Sequence, residues 1–312
     1  MMVNTGTAVF CADIGGSFIK FGLSRQQGEV TVLAKVATPT QSWDEFVLAM
    51  QMLLNEHGAE VAADAPLAIS TAGLVSPQSG EVMATNIPSF AGHNLAAELT
   101  QILKRKVSVA NDADCFALAE AHVGEGQGLP IVVGIILGTG VGGGLVFNGQ
   151  LVRGHGGVTG EWGHGAITRT ELLLDNKLVR VPRLLCGCGQ SGCLDMLGGA
   201  RGIERLHFEL HQQTLTSHQI IEGWQAGSFQ AVQTLNAWLA LVSEPLTLMV
   251  NILGATRVVV GGGLASVIPL IAALDQRVRE STLHKYPQPL VVPGKFVNQG
   301  GLVGASVLGR QR

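Results

Sequence analysis

Three groups of residues in this 312-residue chain have the types and spacing to do chemistry. Cys186, Cys188 and Cys193 fall within eight positions, in a chain with five cysteines in all. An odd total and so tight a cluster suit metal ligation by thiolates better than a disulfide framework, and point to a reducing compartment. Asn111 and Asp112 follow a segment at 106–110 that reads as a strand and precede a helical stretch at 115–122. Polar residues at the carboxyl end of a strand face the ligand crevice of an open α/β sheet, where a carboxylate can accept a proton; Asn and Asp also cap helices, and the residues alone leave both readings open. The third group is glycine, 42 residues, close to twice the usual share of about 7%. Glycines gather at the ends of apolar runs, at Gly15-Gly16, at 138–144 and at 261–263. Such turns either reverse the chain or present backbone N–H groups to phosphates.

Residues 138–143 match G-x-G-x-x-G, but a dinucleotide site of that kind needs a helix directly after the glycines. Residues 145–152 read as a strand, so a glycine hairpin with an anion nest fits better than a Rossmann loop. No G-x-x-x-x-G-K-[ST] occurs, which excludes a P-loop.

The elements that must position these groups alternate. An apolar run at 8–13, a glycine turn and an extended run at 18–23 form a strand–glycine–strand unit. The same unit recurs over 131–137, 138–144 and 145–152. Phe46, Val47, Met50, Leu53 and Leu54 give 43–56 helical spacing, and 66–70 reads as a buried strand, so the architecture is α/β. Beyond residue 202 helix dominates, over 203–211, 219–224 and a long apolar stretch, 228–253, interrupted by Pro245. A last strand, 257–260, enters Gly261-Gly262-Gly263 and a helix over 265–280. Hydrophobic residues at 46% and charged residues at 14% exclude whole-chain disorder, and the length excludes one small module. A net charge of −3 gives no global attraction to nucleic acid or an anionic membrane. Lys104-Arg105-Lys106 reads as a solvated helix end. One Tyr and four Trp are too few for a base-stacking or carbohydrate platform built on aromatic rings. With no signal peptide and no 18-residue apolar run, a cytoplasmic protein is expected.

Taken in order, residues 13–20, 137–144, Gly160-Glu161-Trp162-Gly163-His164, the cysteine segment 186–193 and 259–263 resemble the ROK family of sugar kinases over nearly the whole chain, most of all its N-acetyl-D-glucosamine branch. The stretch from His164 to Cys186, longer than in most glucokinases of the family, supports that branch. The resemblance implies a fold of the actin/hexokinase/Hsp70 type with two RNase-H-like domains and ATP in the cleft they form. The expected division is a smaller domain over 1–115, with a helix at about 300–312 packed back on it, and a larger one over 116–299 that carries the cysteine knot. The implied reaction is ATP-dependent phosphorylation of the 6-hydroxyl of N-acetyl-D-glucosamine, with Asp112 as general base. Other hexose substrates (glucose, N-acetylmannosamine, fructose) and a non-catalytic sugar sensor are the alternatives. Sugar contacts are implied for Gly73, Asn86, Asn111, Asp112, Glu161, His164 and Asp195, the last standing where the family usually has Glu. ATP contacts are implied for Asp13, Gly15, Gly16, Ser17, Lys20, Gly138, Thr139, Gly140, Gly142, Gly261, Gly262 and Gly263; Asp13 would reach Mg²⁺, and Lys20 reads equally as a solvated lysine. His164 with Cys186, Cys188 and Cys193 would close a structural Zn²⁺ site, leaving Cys11 and Cys115 as core residues. The family's repressors carry a winged helix ahead of the first strand, whereas few residues precede it here. The partners expected are therefore the sugar, ATP and a second copy in a homodimer, with neither nucleic acid nor membrane.

Overall fold

The computed structural model describes residues 8–59, 61–84, 86–174 and 177–311. These form two compact units, one over 1–130, 144–159 and 298–312 and the other over 131–143 and 160–297.

In the first unit β1 (Val9–Ile14) pairs antiparallel with β2 (Phe18–Gln26), and β3 (Glu29–Ala37) extends the meander. α1 (Trp43–His57) starts at Ser42, whose side chain accepts from the Glu45 N–H, and buries Phe46, Met50, Leu53 and Leu54 at helical spacing. β4 (Leu67–Thr71) then lies parallel to β1. A short hairpin, β5 (Leu74–Val75) with β6 (Val82–Met83), leads to α2 (Leu95–Leu103), β7 (Val107–Asn111), parallel to β4, and α3 (Asp112–Val123). The sheet order is β3-β2-β1-β4-β7. β1 and β4 are almost wholly buried, which is why they read as continuous apolar runs rather than alternating ones. Phe10, Phe21, Phe46 and Phe90 fill the core of this unit. Of the basic triplet, Lys104 ends α2 in the left-handed conformation, as a helix end should. Arg105 is not simply solvated: it donates to the Ala65 carbonyl and lies over the Phe10 ring.

β8 (Ile131–Leu137) opens the second unit and leads through the glycines into β9 (Val141–Phe147). The extended run expected over 145–152 is two strands. β9 turns at Asn148 and Gly149, both at positive φ, into β10 (Gln150–Leu151). Asn-Gly is the pair that a two-residue hairpin turn demands. The segment 144–159 belongs to the first unit. A hairpin of β11 (Glu171–Leu174) and β12 (Lys177–Arg180) occupies the long stretch after His164. Then come α4 (Asp195–Gly198), α5 (Ala200–His211), α6 (Ser217–Gln225), α7 (Phe229–Leu253), β13 (Arg257–Gly261), α8 (Ile268–Ser281) and β14 (Val291–Pro293). The second sheet has the order β10-β9-β8-β13-β14, with β13 parallel to β8 and to β14.

One expectation changes here. Pro245 does not interrupt α7, which runs through it as one helix of 25 residues. α7 is the central helix of its unit, packed by α5, α6 and α8 and burying Trp238, Leu241, Val242 and Leu246, and this packing holds a helix that a proline would otherwise break. α7 is also long and apolar enough, by length and composition, to cross a membrane, but Asn236, Ser243 and Glu244 interrupt its apolar residues and most of it is buried, as in the core helix of a unit.

α9 (Gly300–Leu308) closes the chain along α3 in the first unit. The approach is close because Gly300 faces the Phe116 ring and Gly304 the Cys115 carbonyl, where a Cβ would collide. Residue 115, at which the sequence divides the domains, lies inside α3, and the first unit continues to Pro130.

Candidate functional site

In the first unit the parallel strands β1, β4 and β7 end at one edge, and their register builds a polar row. Lys20, Asp13 and Ser70 are cross-strand neighbours, and so are Ile14, Thr71 and Asn111 one residue further on. Ser70 Oγ donates to Asp13 Oδ1 at 2.9 Å, and Lys20 Nζ lies 3.9 Å from Asp13 Oδ2. Asn111 caps α3. Its Oδ1 accepts from the Ala113 N–H, and its Nδ2 donates to the Gly73 carbonyl, both at 2.8 Å. Gly73 has φ +94°, and a Cβ there would strike the Met83 carbonyl, so this turn requires glycine. Asp112 is the first residue of α3 and accepts from the Ala113 N–H at 2.9 Å.

Asn111 therefore supplies the cap of this helix, and Asp112 stands beside it. Asp112 is open to solvent by surface area but recessed among protein atoms. Loss of hydration raises its carboxyl above the ordinary carboxylate range, and the charge of Asp13 raises it further against the hydrogen bond from Ala113. Burial raises Asp13 too, with Ser70 and Lys20 opposing. Asn86 lies against Gly16, whose Cβ would come 3.2 Å from Asn86 Nδ2. Asp13, Gly15, Gly16, Lys20, Gly73, Asn86, Asn111 and Asp112 thus fall into one linked set, with Ser17 exposed in the β1–β2 turn. Ser70 is a member that the sequence did not single out; only the β1–β4 register brings it to Asp13.

The second unit holds two further groups. The glycine turns after β8 and β13 pack backbone on backbone, since a Cβ on Gly262, at φ +80°, would meet Leu137 and Gly138. β9 follows the first turn directly, as the hairpin reading expects. Trp162 Nε1 donates to the Gly142 carbonyl at 2.8 Å. Beside Gly263 lies a pocket of about 530 Å³ lined by Ala200, Ile221, Leu264, Val267 and Pro269 among others. Its residues come from four separate elements, a grouping that spacing along the chain does not show.

The other group is the cysteine knot. Gly189 and Gly192, both at positive φ, turn the chain, and bridges join Leu185 to Ser191 and Ala166 to Cys193. This carries a 3-10 turn over Trp162–His164 to the sulfurs. The ligand atoms of His164, Cys186, Cys188 and Cys193 all lie within 4.8 Å of one another. His164 Nδ1 is 3.6 Å from Cys186 Sγ, and its Nε2 faces Glu161 Oε2 at 3.7 Å. One nitrogen thus faces the thiols and the other a carboxylate, an arrangement in which a carboxylate outside the ligand group can orient a metal-bound imidazole. The Gln190 backbone N–H holds the Cys188 thiol down at about 7, whereas burial pushes Cys193 up to about 12. Cys11 and Cys115 are buried core residues outside this cluster. Asp195 opens α4, and its Oδ1 accepts from the Val141 N–H at 2.7 Å.

Comparison with known proteins agrees with this architecture. The chain is 32% identical to the N-acetyl-D-glucosamine kinase of Yersinia pseudotuberculosis over 296 residues, 95% of this chain and 97% of that protein. Among solved structures it is similar to the ROK hexokinase of Thermus thermophilus, with a TM-score of 0.79 and 28% identity over 97% of each chain. A ROK family glucokinase of Streptomyces griseus, solved with glucose and AMPPNP, gives 0.74 and 26% over 98% of this chain and 100% of that one. The two units are therefore α/β units of the actin/hexokinase type. The ROK family model matches residues 9–312, essentially every described residue, and the chain belongs to the ROK family.

Proposed function

We propose that this protein is a sugar kinase that transfers the terminal phosphoryl group of ATP to the 6-hydroxyl of N-acetyl-D-glucosamine. The observation that carries the reading is Asp112, a recessed carboxylate at the start of α3 with Asn111 anchored beside it on the Gly73 carbonyl, in a chain similar along 95% of its length to N-acetyl-D-glucosamine kinases.

Phosphoryl transfer asks the protein mainly for positioning, for charge stabilisation and for a place to put the hydroxyl proton. Asp112 takes that proton. Its raised affinity for protons suits a base that must accept one near neutral pH and release it afterwards. Asn111, Gly73 and Asn86 hold neighbouring hydroxyls, and Glu161 and His164 hold others. The glycine turns at 138–142 and 261–263 carry the phosphates on backbone N–H groups, and Gly15, Gly16, Ser17 and Lys20 contribute to nucleotide binding. The pocket beside Gly263 takes the adenosine. Asp13 would hold Mg²⁺, directly or through water, and the ion would supply charge neutralisation on the phosphates. Three thiolates and one imidazole nitrogen suit Zn²⁺ in a closed tetrahedral site, so His164, Cys186, Cys188 and Cys193 would hold it as a structural ion. With His164 fixed in this way, its other ring nitrogen is kept on the side of Glu161, 3.7 Å from Oε2.

The test is ADP release measured with a panel of N-acetylglucosamine, glucose, N-acetylmannosamine and fructose. The highest kcat/KM with N-acetylglucosamine is expected. A clear preference for another hexose would reassign the substrate, and no ADP release with any of them would reject the kinase reading.

A further inference from the structure

The resemblance puts residue 195 on the sugar, but the contacts of Asp195 lead elsewhere. Its Oδ1 accepts the Val141 N–H at 2.7 Å, and the same oxygen fills the space where a Gly140 side chain would begin. The neighbours of Asp195 grip the same turn. The Ala200 N–H donates to the Gly138 carbonyl at 2.8 Å, and Gly199 lies against the backbone of Thr139 and Gly140. The turn over 138–141 is thus clasped at its first residue by Ala200, in its middle by Gly199 and at its last by Asp195. Only the last grip uses a side chain. Asp195 is itself anchored, because it follows Cys193 by two residues and Leu194 N–H donates to the Gly165 carbonyl at 3.0 Å.

We propose that Asp195 is a positioning residue for the nucleotide: its carboxylate ties the glycine turn over 138–141 to the cysteine knot and holds that turn in the form that receives phosphates. This rests on the kinase reading above, and on the turn being the phosphate loop. The identity of residue 195 follows from the geometry. A Glu, one methylene longer, reaches about 1.5 Å further, so its carboxylate overshoots the Val141 N–H unless the side chain folds back. An Asn keeps the acceptor oxygen for Val141.

The test measures binding and kinetics in the full-length protein. ADP and a non-hydrolysable ATP analogue are titrated calorimetrically into wild type, Asp195→Ala, Asp195→Asn and Asp195→Glu without sugar, and KM values for ATP and sugar are measured separately. Asp195→Ala loses a charge-assisted hydrogen bond and should weaken nucleotide binding about ten-fold, with the sugar KM within about two-fold of wild type. Asp195→Asn should restore nucleotide binding to within about three-fold, whereas Asp195→Glu should not. Bound metal, measured by elemental analysis, reports whether the knot survives each change. If Asp195→Ala does not fold, the contrast of Asn with Glu decides alone. A wild type that binds nucleotide, with a variant series that raises only the sugar KM, overturns the positioning role and leaves the kinase reading intact. A wild type that binds no nucleotide overturns both.

Discussion

The carboxylate row of the first unit and the cysteine knot of the second are both built from residues distant in sequence, yet they are held by different means. Asp13, Ser70 and Asn111 stand on adjacent strands whose ladders fix their spacing, and Asp112 is the next residue along. Every atom that aligns them is backbone or a neighbouring side chain, so the row needs no ligand to exist. His164 and the three cysteines stand instead on a 3-10 turn and a glycine-rich loop, joined by two isolated bridges. No sheet register spaces those side chains, and a metal ion held by them would add its binding free energy to folding. A site made by sheet register tolerates loss of a side chain, and a site made by ligation does not.

Asp112→Asn tests the first half of that contrast and has the largest expected effect. Loss of the base should lower kcat by about 100-fold or more, while the melting temperature stays within about 2 °C because the Asn111 cap and the ladders are untouched. A variant with near-wild-type turnover would remove Asp112 as the base; one that unfolds would show that the row is not self-supporting. Cys188→Ser addresses the other half. Elemental analysis should find about one zinc per chain in freshly purified wild type and little in the variant, and melting should fall by roughly 2–4 °C for each kcal/mol the metal supplies. Wild type without zinc would refute the closed site. Gly304→Ala sharpens the contrast, since it strikes the packing of the first unit and not its chemistry. A methyl against the Cys115 carbonyl should cost about 1–3 kcal/mol in urea unfolding with bound metal unchanged. Unaltered stability would mean that α9 moves freely over α3.

The smallest effect is the response to pH. A base works only when deprotonated, and burial with the nearby Asp13 charge raises the folded-state affinity of Asp112 for its proton. kcat/KM should therefore fall with decreasing pH through an acid limb above the ordinary carboxylate value of about 4, and that limb should vanish in Asp112→Asn. A limb that persists in the variant belongs to another group. Metal retention should also fall as the pH is lowered, because protons compete for the thiolates. Zinc measured after dialysis at stepped pH separates this loss from the reversible limb.

Much of the fold was legible because it depends on local pattern. The apolar runs of β1, β4, β7, β8 and β13, the 3.6-residue spacing of α1 and the glycines that end the strands are each written over a few consecutive residues. What escaped depends on partners far along the chain. Asn148-Gly149 was an available turn signal that the apolar residues around it obscured. Pro245 sits in a helix only because α7 is packed by its neighbours, a force that no local preference records. Residue 115 reads as the end of a sheet domain, yet it lies on the helix against which α9 closes the unit.

By itself the sequence determined the chemistry present: a carboxylate after a strand, three thiols with a histidine within reach, and glycine at each strand end. Residue type and spacing suffice for that, because donor chemistry and backbone freedom are properties of single residues. Tertiary structure alone decided what each group faces. Ser70 donates to Asp13 because two parallel strands pair in one register. His164 offers Nδ1 to the sulfurs and Nε2 to Glu161 because a bridge joins Ala166 to Cys193. Asp195, one methylene shorter than the usual Glu, ends on the Val141 N–H because α4 begins against the glycine turn. Contacts of this kind are decided over a few ångström, and a chain sets such distances only once its distant segments have packed.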